Sequence, residues 1–195
     1  MLGKVSRGDT IIEVLVSFAV FSLVVVSAII IMNQGVAAAQ RSLEITLVRQ
    51  QIDSQVAMIQ RAQQYDLQTW KDIRTNAVDT IGSFSAVTNT ACPDSAGLGT
   101  GAFFVAATAG LTDTTRYGAS AATYQKAVTY ARADVMGDDT ALFEPKSYGL
   151  WATLVKAENF AQLSAYDLHI RACWDSVGTN VPVTIATVVR LYDTE

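Results

Sequence analysis

The sequence predicts an α+β chain: a long N-terminal α-helix packed on a small C-terminal antiparallel β-sheet. Three observations carry that prediction. The first proline is Pro93, and Gly35 is the only glycine between Gly8 and Gly82, so the N-terminal third holds little that breaks a helix. That third starts apolar all round and continues with apolar residues at three- and four-residue steps. The last third instead alternates with period two and is rich in β-branched residues.

The elements follow in order. Residues 1–8 form a short basic tip with Lys4 and Arg7. Residues 11–32 are apolar apart from the charge of Glu13, and 14–32 carry no charge. Nineteen residues make a helix of roughly 29 Å, about one hydrocarbon core. A run that long is a helix rather than a strand. The helix continues to about residue 64, with Leu43, Leu47, Val48, Ile52, Val56 and Ile59 on one face and Gly35 as its weak point. Arg41, Glu44, Arg49, Asp53 and Arg61 mostly lie off that stripe. A shorter helix is expected through Leu67, Trp70, Ile73, Ala77 and Ile81, with Thr69 as a candidate cap.

Residues 82–145 are rich in Gly, Ala, Ser and Thr and read as loops, with short strands near 103–107 and 124–132. Three strands close the chain at 148–156, 166–174 and 183–192, the last two joined by a hairpin loop over 176–182. Along 166–174, Tyr166, Leu168, Ile170, Ala172 and Trp174 face one way; Asp167, His169, Arg171 and Cys173 face the other. The organisation is therefore 1–8 as a leader, 9–34 as an apolar helix half and 35–195 as a head. Within the head come an amphipathic helix to about 64, a variable middle over 65–147 and a sheet over 148–192.

Composition narrows the function. The 195 residues are 50% hydrophobic and 16% charged, which excludes a fully disordered chain. A single long apolar run excludes a polytopic membrane protein. A formal charge of −4 lacks the footprint of a nucleic-acid binder, so no direct nucleic-acid binding is expected. One histidine and two cysteines make no Cys/His metal cluster, and no cofactor motif is present. Asp134, Asp138, Asp139 and Glu144 miss the EF-hand spacing and read as a solvated acidic loop. His169 has no nucleophile motif beside it and reads as part of a solvated sheet face; catalysis is not expected. The three tryptophans read mostly as core.

The N-terminus carries the specific signal. The basic leader ends in Gly8; Asp9 and Thr10 follow; Glu13 lies fifth after that glycine, inside the apolar run. An acidic residue at mid-membrane costs about 2.5–3.5 kcal/mol, less near a helix end, and calls for a partner. The stretch Gly8-Asp9-Thr10-Ile11-Ile12-Glu13-Val14-Leu15-Val16, followed by Ser17-Phe18-Ala19-Val20-Phe21, resembles the prepilin signal of the type IV pilin-like family of pilins, minor pilins and pseudopilins. The resemblance is specific over residues 4–32 and looser beyond.

What the resemblance implies is concrete. A prepilin peptidase would cut between Gly8 and Asp9. The mature chain would be a single-pass membrane protein held through residues 11–32, with its head outside the cytoplasm. It would then join a cell-surface filament with copies of itself and other pilins, served by an assembly platform and motor. Glu13 would pair with the free amine of residue 9 in a neighbouring subunit, a desolvated carboxylate meeting a desolvated ammonium. The N-terminal methylation known in the family would fall on Asp9, where most members have phenylalanine. The proline that often kinks the family's helix is absent. In an exported head Cys92 and Cys173 are expected to form a disulfide rather than remain buried thiols.

The expected function is a pilin or minor pilin of a type IV pilus or related filament. Alternatives are a pseudopilin of a secretion or DNA-uptake machine and a membrane-anchored or secreted binding domain that does not polymerise. Two plainer readings of the apolar run remain beside these: a secretory signal cut after Ala37-Ala38-Ala39, and a simple signal anchor.

Overall fold

Nothing between residues 9 and 65 breaks a helix, and one forms: α1 runs Asp9–Tyr65 and passes through Gly35 without interruption. A Cβ at Gly35 would meet nothing within 4 Å, so no close approach requires glycine there. The computed structural model describes residues 9–76, 78–79, 91–107, 114–134, 144–157 and 164–193. The remaining elements are α2 (Leu67–Asn76), β1 (Val78–Asp79), β2 (Phe103–Ala107), β3 (Thr114–Gly118), β4 (Tyr124–Gln125), β5 (Arg132–Asp134), β6 (Lys146–Tyr148), β7 (Leu150–Lys156), β8 (Ser164–Trp174) and β9 (Val183–Asp193). A 3₁₀ turn covers Ser95–Leu98. The chain divides into two compact units, one ending at Ser42 and one starting at Leu43.

The second unit is an α+β head. Its main sheet has the order β3-β2-β7-β8-β9, all antiparallel, and β1 joins it parallel to β7 on the edge of β7 that β2 also uses. The alternation read along β8 holds: Leu168, Ile170 and Ala172 face the core, opposite Leu154, Ala152 and Leu150 of β7. From α1, Val48, Ile52, Met58, Ile59 and Ala62 are buried in the same core. Leu43, expected on that stripe, is 61% exposed. The sheet is wider than residues 148–192 suggest, because β2 and β3 come from the middle of the chain.

The buried line on α1 includes a polar residue, Gln55. Its Nε2 donates to the Val105 carbonyl at 2.9 Å, and its Oε1 accepts from the Val105 N–H at 2.9 Å. The reason lies in the topology. β2 meets β7 only at Phe103 opposite Ala152. Val105, two residues on, turns its backbone groups to the same side and has no strand partner there. Gln55 supplies the missing donor and acceptor.

The short helix α2 corrects two expectations. It ends at Asn76 and is followed by β1, so the helix does not continue through residues 78–79; Ala77 and Ile81 lie outside the described residues. Its cap is Asp66, not Thr69: the Thr69 N–H donates to Asp66 Oδ1 at 3.1 Å. The chain leaves α1 after Tyr65, so Asp66 is the one residue between the helices. Asp66 Oδ2 also accepts from Thr114 Oγ1 at 3.2 Å, tying the cap to β3. Burial pushes the Asp66 carboxyl up, but the hydrogen bonds from Thr69 and Thr114 outweigh it and hold the group below its ordinary value. Trp70 meets Tyr166 edge-on, with ring centres 5.8 Å apart, and donates to Asp193 Oδ2 at 3.2 Å.

Two expected strands are each divided. The 148–156 stretch breaks at Gly149: β6 enters a small sheet of order β4-β6-β5, and β7 enters the main one. Gly149 has φ +64°, and a Cβ there would lie 2.2 Å from the Cys173 carbonyl, so only glycine fits. The 124–132 stretch likewise yields β4 and β5 rather than one strand. On the outer face of the main sheet, Cys92, Leu98, Ala102, Tyr124, Trp151 and Cys173 form a second apolar cluster. Cys92 and Cys173 are joined by a disulfide, with Cα atoms 5.5 Å apart.

Two outcomes follow for stability. Gln55→Ala strands a buried N–H and a buried carbonyl and is expected to cost about 3 kcal/mol, read as a lower urea midpoint at an unchanged slope. Replacing both cysteines by serine opens a loop of 81 residues' separation and is expected to cost about 4 kcal/mol in the same measurement.

Candidate functional site

The N-terminal unit has a surface unlike that of the head. Every described residue from Ile11 to Phe21 is exposed, and the large apolar side chains stand open: Phe18 is 71% exposed and Leu23 is 69% exposed. Among the described residues this is the one helix long and apolar enough to cross a membrane. Two of its hydroxyls are turned back on the helix itself. Ser22 Oγ donates to the Phe18 carbonyl at 2.8 Å, and Ser27 Oγ donates to the Leu23 carbonyl at 2.7 Å. Neither leaves an unsatisfied donor facing an apolar medium.

Glu13 is the exception on this surface. It lies one helical turn beyond Asp9, the first residue of α1. Around it, Val14, Ser17, Phe18 and Phe21 line a shallow depression. Those positions fall one, four, five and eight residues on, so they share a face with the carboxylate. Among the described residues no ion pair reaches Glu13. The start of a helix also favours negative charge, through its unpaired N–H groups. Of the expected cleavage pair, Asp9 starts the helix and Gly8 lies outside the described residues.

The other singled-out residues fall elsewhere. On the outer face of β8, Asp167 receives a two-point ion pair from Arg190 at 2.7 and 2.8 Å, and this holds its carboxyl below the ordinary value. His169, opposite Thr153 and Val188, is half-buried; burial and then Arg171 lower its pKa, while Asp167 opposes them. Cys173 shares that face but is fully buried, because the outer cluster covers it. Asp134 pairs with Arg132 at 3.5 Å, and Glu144 lies 3.9 Å from Lys146; Asp138 and Asp139 are outside the described residues. Among the described residues no group of three His, Cys, Asp or Glu is placed to hold a metal ion. The three tryptophans are all buried.

One polar group that the sequence hid is Glu44. It was expected off the apolar stripe, yet its Oε2 accepts from Trp174 Nε1 at 3.0 Å and from Ser176 Oγ at 2.6 Å. Only its partners, 130 and 132 residues away, reveal the role.

The single histidine gives a clean pH signature. Its folded pKa lies below the unfolded 6.5, so the unfolded chain binds more protons between the two values. The stabilisation is present above pH about 6.5 and is lost as pH falls through the folded value. Thermal melts are expected to shift down between pH 7.5 and 5.5, and His169→Gln is expected to flatten that slope. Set against family models, curated proteins and solved structures, the chain matches none of them.

Proposed function

We propose that this chain is a structural subunit, a pilin or minor pilin, of a type IV pilus or related filament. It is cut between Gly8 and Asp9, held in a membrane through residues 11–32 and assembled through its N-terminal helix. The observation that carries the reading is the combination on α1: a helix surface apolar on all sides, with one carboxylate, Glu13, a single turn from the expected new terminus. A simple anchor has no use for that carboxylate, which makes insertion less favourable. A filament core has one, because each subunit brings both a Glu13 and a free amine at residue 9. The α+β head, with a helix packed on an antiparallel sheet, is the architecture the resemblance implies.

The pairing is directional. Glu13 and the amine of its own chain are separated by about 6 Å of helix rise. In a staggered bundle the amine of one subunit meets the carboxylate of the next, and the two desolvated charges neutralise each other. Removing Lys4 and Arg7 with the leader takes two positive charges from the chain and leaves the formal charge at −6 before the new amine is counted.

The test has two parts. Mass spectrometry of the protein from its native membrane or sheared surface fraction is expected to show a chain beginning at Asp9, with any methyl carried there. A start at Gln40 or an intact leader overturns the reading. Glu13→Ala is then expected to leave membrane insertion unchanged and to lower incorporation into filaments at least tenfold. Equal incorporation of the variant leaves a membrane-anchored binding domain as the better description.

A further inference from the structure

β9 is the outermost strand of the main sheet, and its free edge has an unusual degree of self-complementarity. The β8–β9 pairing runs without a bulge from Ser164 opposite Asp193 to Trp174 opposite Val183. Which backbone groups point outward follows from the neighbouring bonds. Ala165 accepts from the Ala157 N–H at 2.9 Å, and the Cys173 N–H donates to the Gly149 carbonyl at 2.8 Å. Odd-numbered residues of β8 therefore turn their backbone groups toward β7, and even-numbered ones toward β9. On β9 the odd-numbered residues complete that ladder. Thr184, Ala186, Val188, Arg190 and Tyr192 aim their N–H and carbonyl groups away from the sheet. Gln63 Nε2 donates to the Tyr192 carbonyl at 2.7 Å; among the described residues no other hydrogen bond reaches this outward row.

Natural edge strands are usually protected by charge, proline, a bulge or shortness. β9 is 11 residues long, unbulged, free of proline and glycine and rich in Val, Ile and Thr. Its outward row carries one charge, Arg190, already held by Asp167. We infer that this edge is a docking site for β9 of a second copy of the chain, antiparallel, with Val188 opposite Val188.

Among registers centred on a residue of the outward row, the choice follows from what each places face to face. Centred on Val188, the pairing sets Ala186 against Arg190 and Thr184 against Tyr192, with no like charges opposed. It joins three hydrogen-bonded pairs through Ala186, Val188 and Arg190, about six backbone bonds in all. Centred on Arg190, it opposes two guanidinium groups. Centred on Ala186, it sets Arg190 against Pro182, which has no N–H to give. The sheets of two heads would then run on as one. Nothing in this argument uses the N-terminal motif, so it stands or falls apart from the filament reading.

The test uses the full-length chain in detergent micelles, with its native disulfide intact. Val188→Cys is expected to cross-link to a dimer on mild oxidation. Ala186→Cys is expected to cross-link at least fivefold less, because two such residues would lie roughly 13 Å apart along the paired strands. Ala186→Pro, added to the Val188→Cys chain, removes an outward N–H and leaves the internal ladder whole, so it is expected to abolish the cross-link. Ala186→Lys, which faces Arg190 across the pair, is expected to do the same by repulsion and keeps the test sound if the proline variant fails to fold. Equal cross-linking at positions 186 and 188 overturns the proposal, as does a cross-link that survives the lysine.

Discussion

The fold of the head turns on one pairing that stops short. β2 pairs with β7 only at Phe103 opposite Ala152, and this leaves the backbone of Val105 facing no strand. A buried peptide group without partners is among the costlier defects a protein can carry. Here the repair comes from α1, through the amide of Gln55. That bond does more than fill a gap. An apolar stripe tolerates sliding, since one methyl packs about as well as the next. An amide that must meet one N–H and one carbonyl does not, so Gln55 sets the position of the helix along the sheet. Around it, Glu44 bonds to Trp174 and Ser176, Gln51 accepts from the Ala133 N–H at 3.3 Å, and Gln63 donates to Tyr192. The four clamps reach β2, β8 and β9 of the main sheet, β5 of the small sheet and the loop after β8.

The same helix solves opposite problems in the two units. Up to Ser42 the hydroxyls of Ser22 and Ser27 are turned back on the helix, and the surface is apolar. From Leu43 the polar side chains reach outward to another element's backbone. The change in sequence character near residue 43 is a change in what the helix surface must satisfy: first an apolar surrounding, then the polar edges of a sheet. Among the described residues from Ile11 to Met32, Glu13 carries the one charge. Its isolation on that surface is what the proposed function rests on.

What was legible in the sequence follows the range of the forces involved. The helix Asp9–Tyr65, the strand Phe103–Ala107 and the hairpin of β8 and β9 were readable, because each is set by local periodicity and by the absence of breakers. The place of Glu13 within the apolar run is likewise a matter of local spacing. β3 was not. Thr114–Gly118 is short and polar, and it is a strand because β2 pairs with it and because Arg116 reaches Asp72 of α2 at 2.6 Å. The cap of α2 was misplaced by three residues: Thr69 and Asp66 both have capping chemistry, and what selects Asp66 is where α1 ends. Gly149 hid the split of one apparent strand into two sheets, since its need for a positive φ comes from Cys173, distant in sequence. Gln55 and Glu44 looked like ordinary helix-surface residues, and their partners lie 50 and more than 100 residues away.

The placement of these long-range links bears on how the head would carry load in a filament. A pull on the N-terminal unit enters the head along α1, because the helix is continuous from Asp9 to Tyr65. To slide α1 along the sheet, Gln55 must give up two bonds to Val105 at once, with no water at hand to replace them. The carboxylate of Glu44 must at the same time leave a buried tryptophan N–H. Apolar contacts yield by small displacements; these bonds break over a few tenths of an ångström and resist until they do. The far side of the sheet is pinned as well, by a covalent bridge from Cys92 to Cys173 in the interior strand β8. A helix held by polar clamps on one face and a sheet stapled on the other make the head resist shear as a block. In the proposed filament, a subunit pulled by its N-terminal helix would draw on that property.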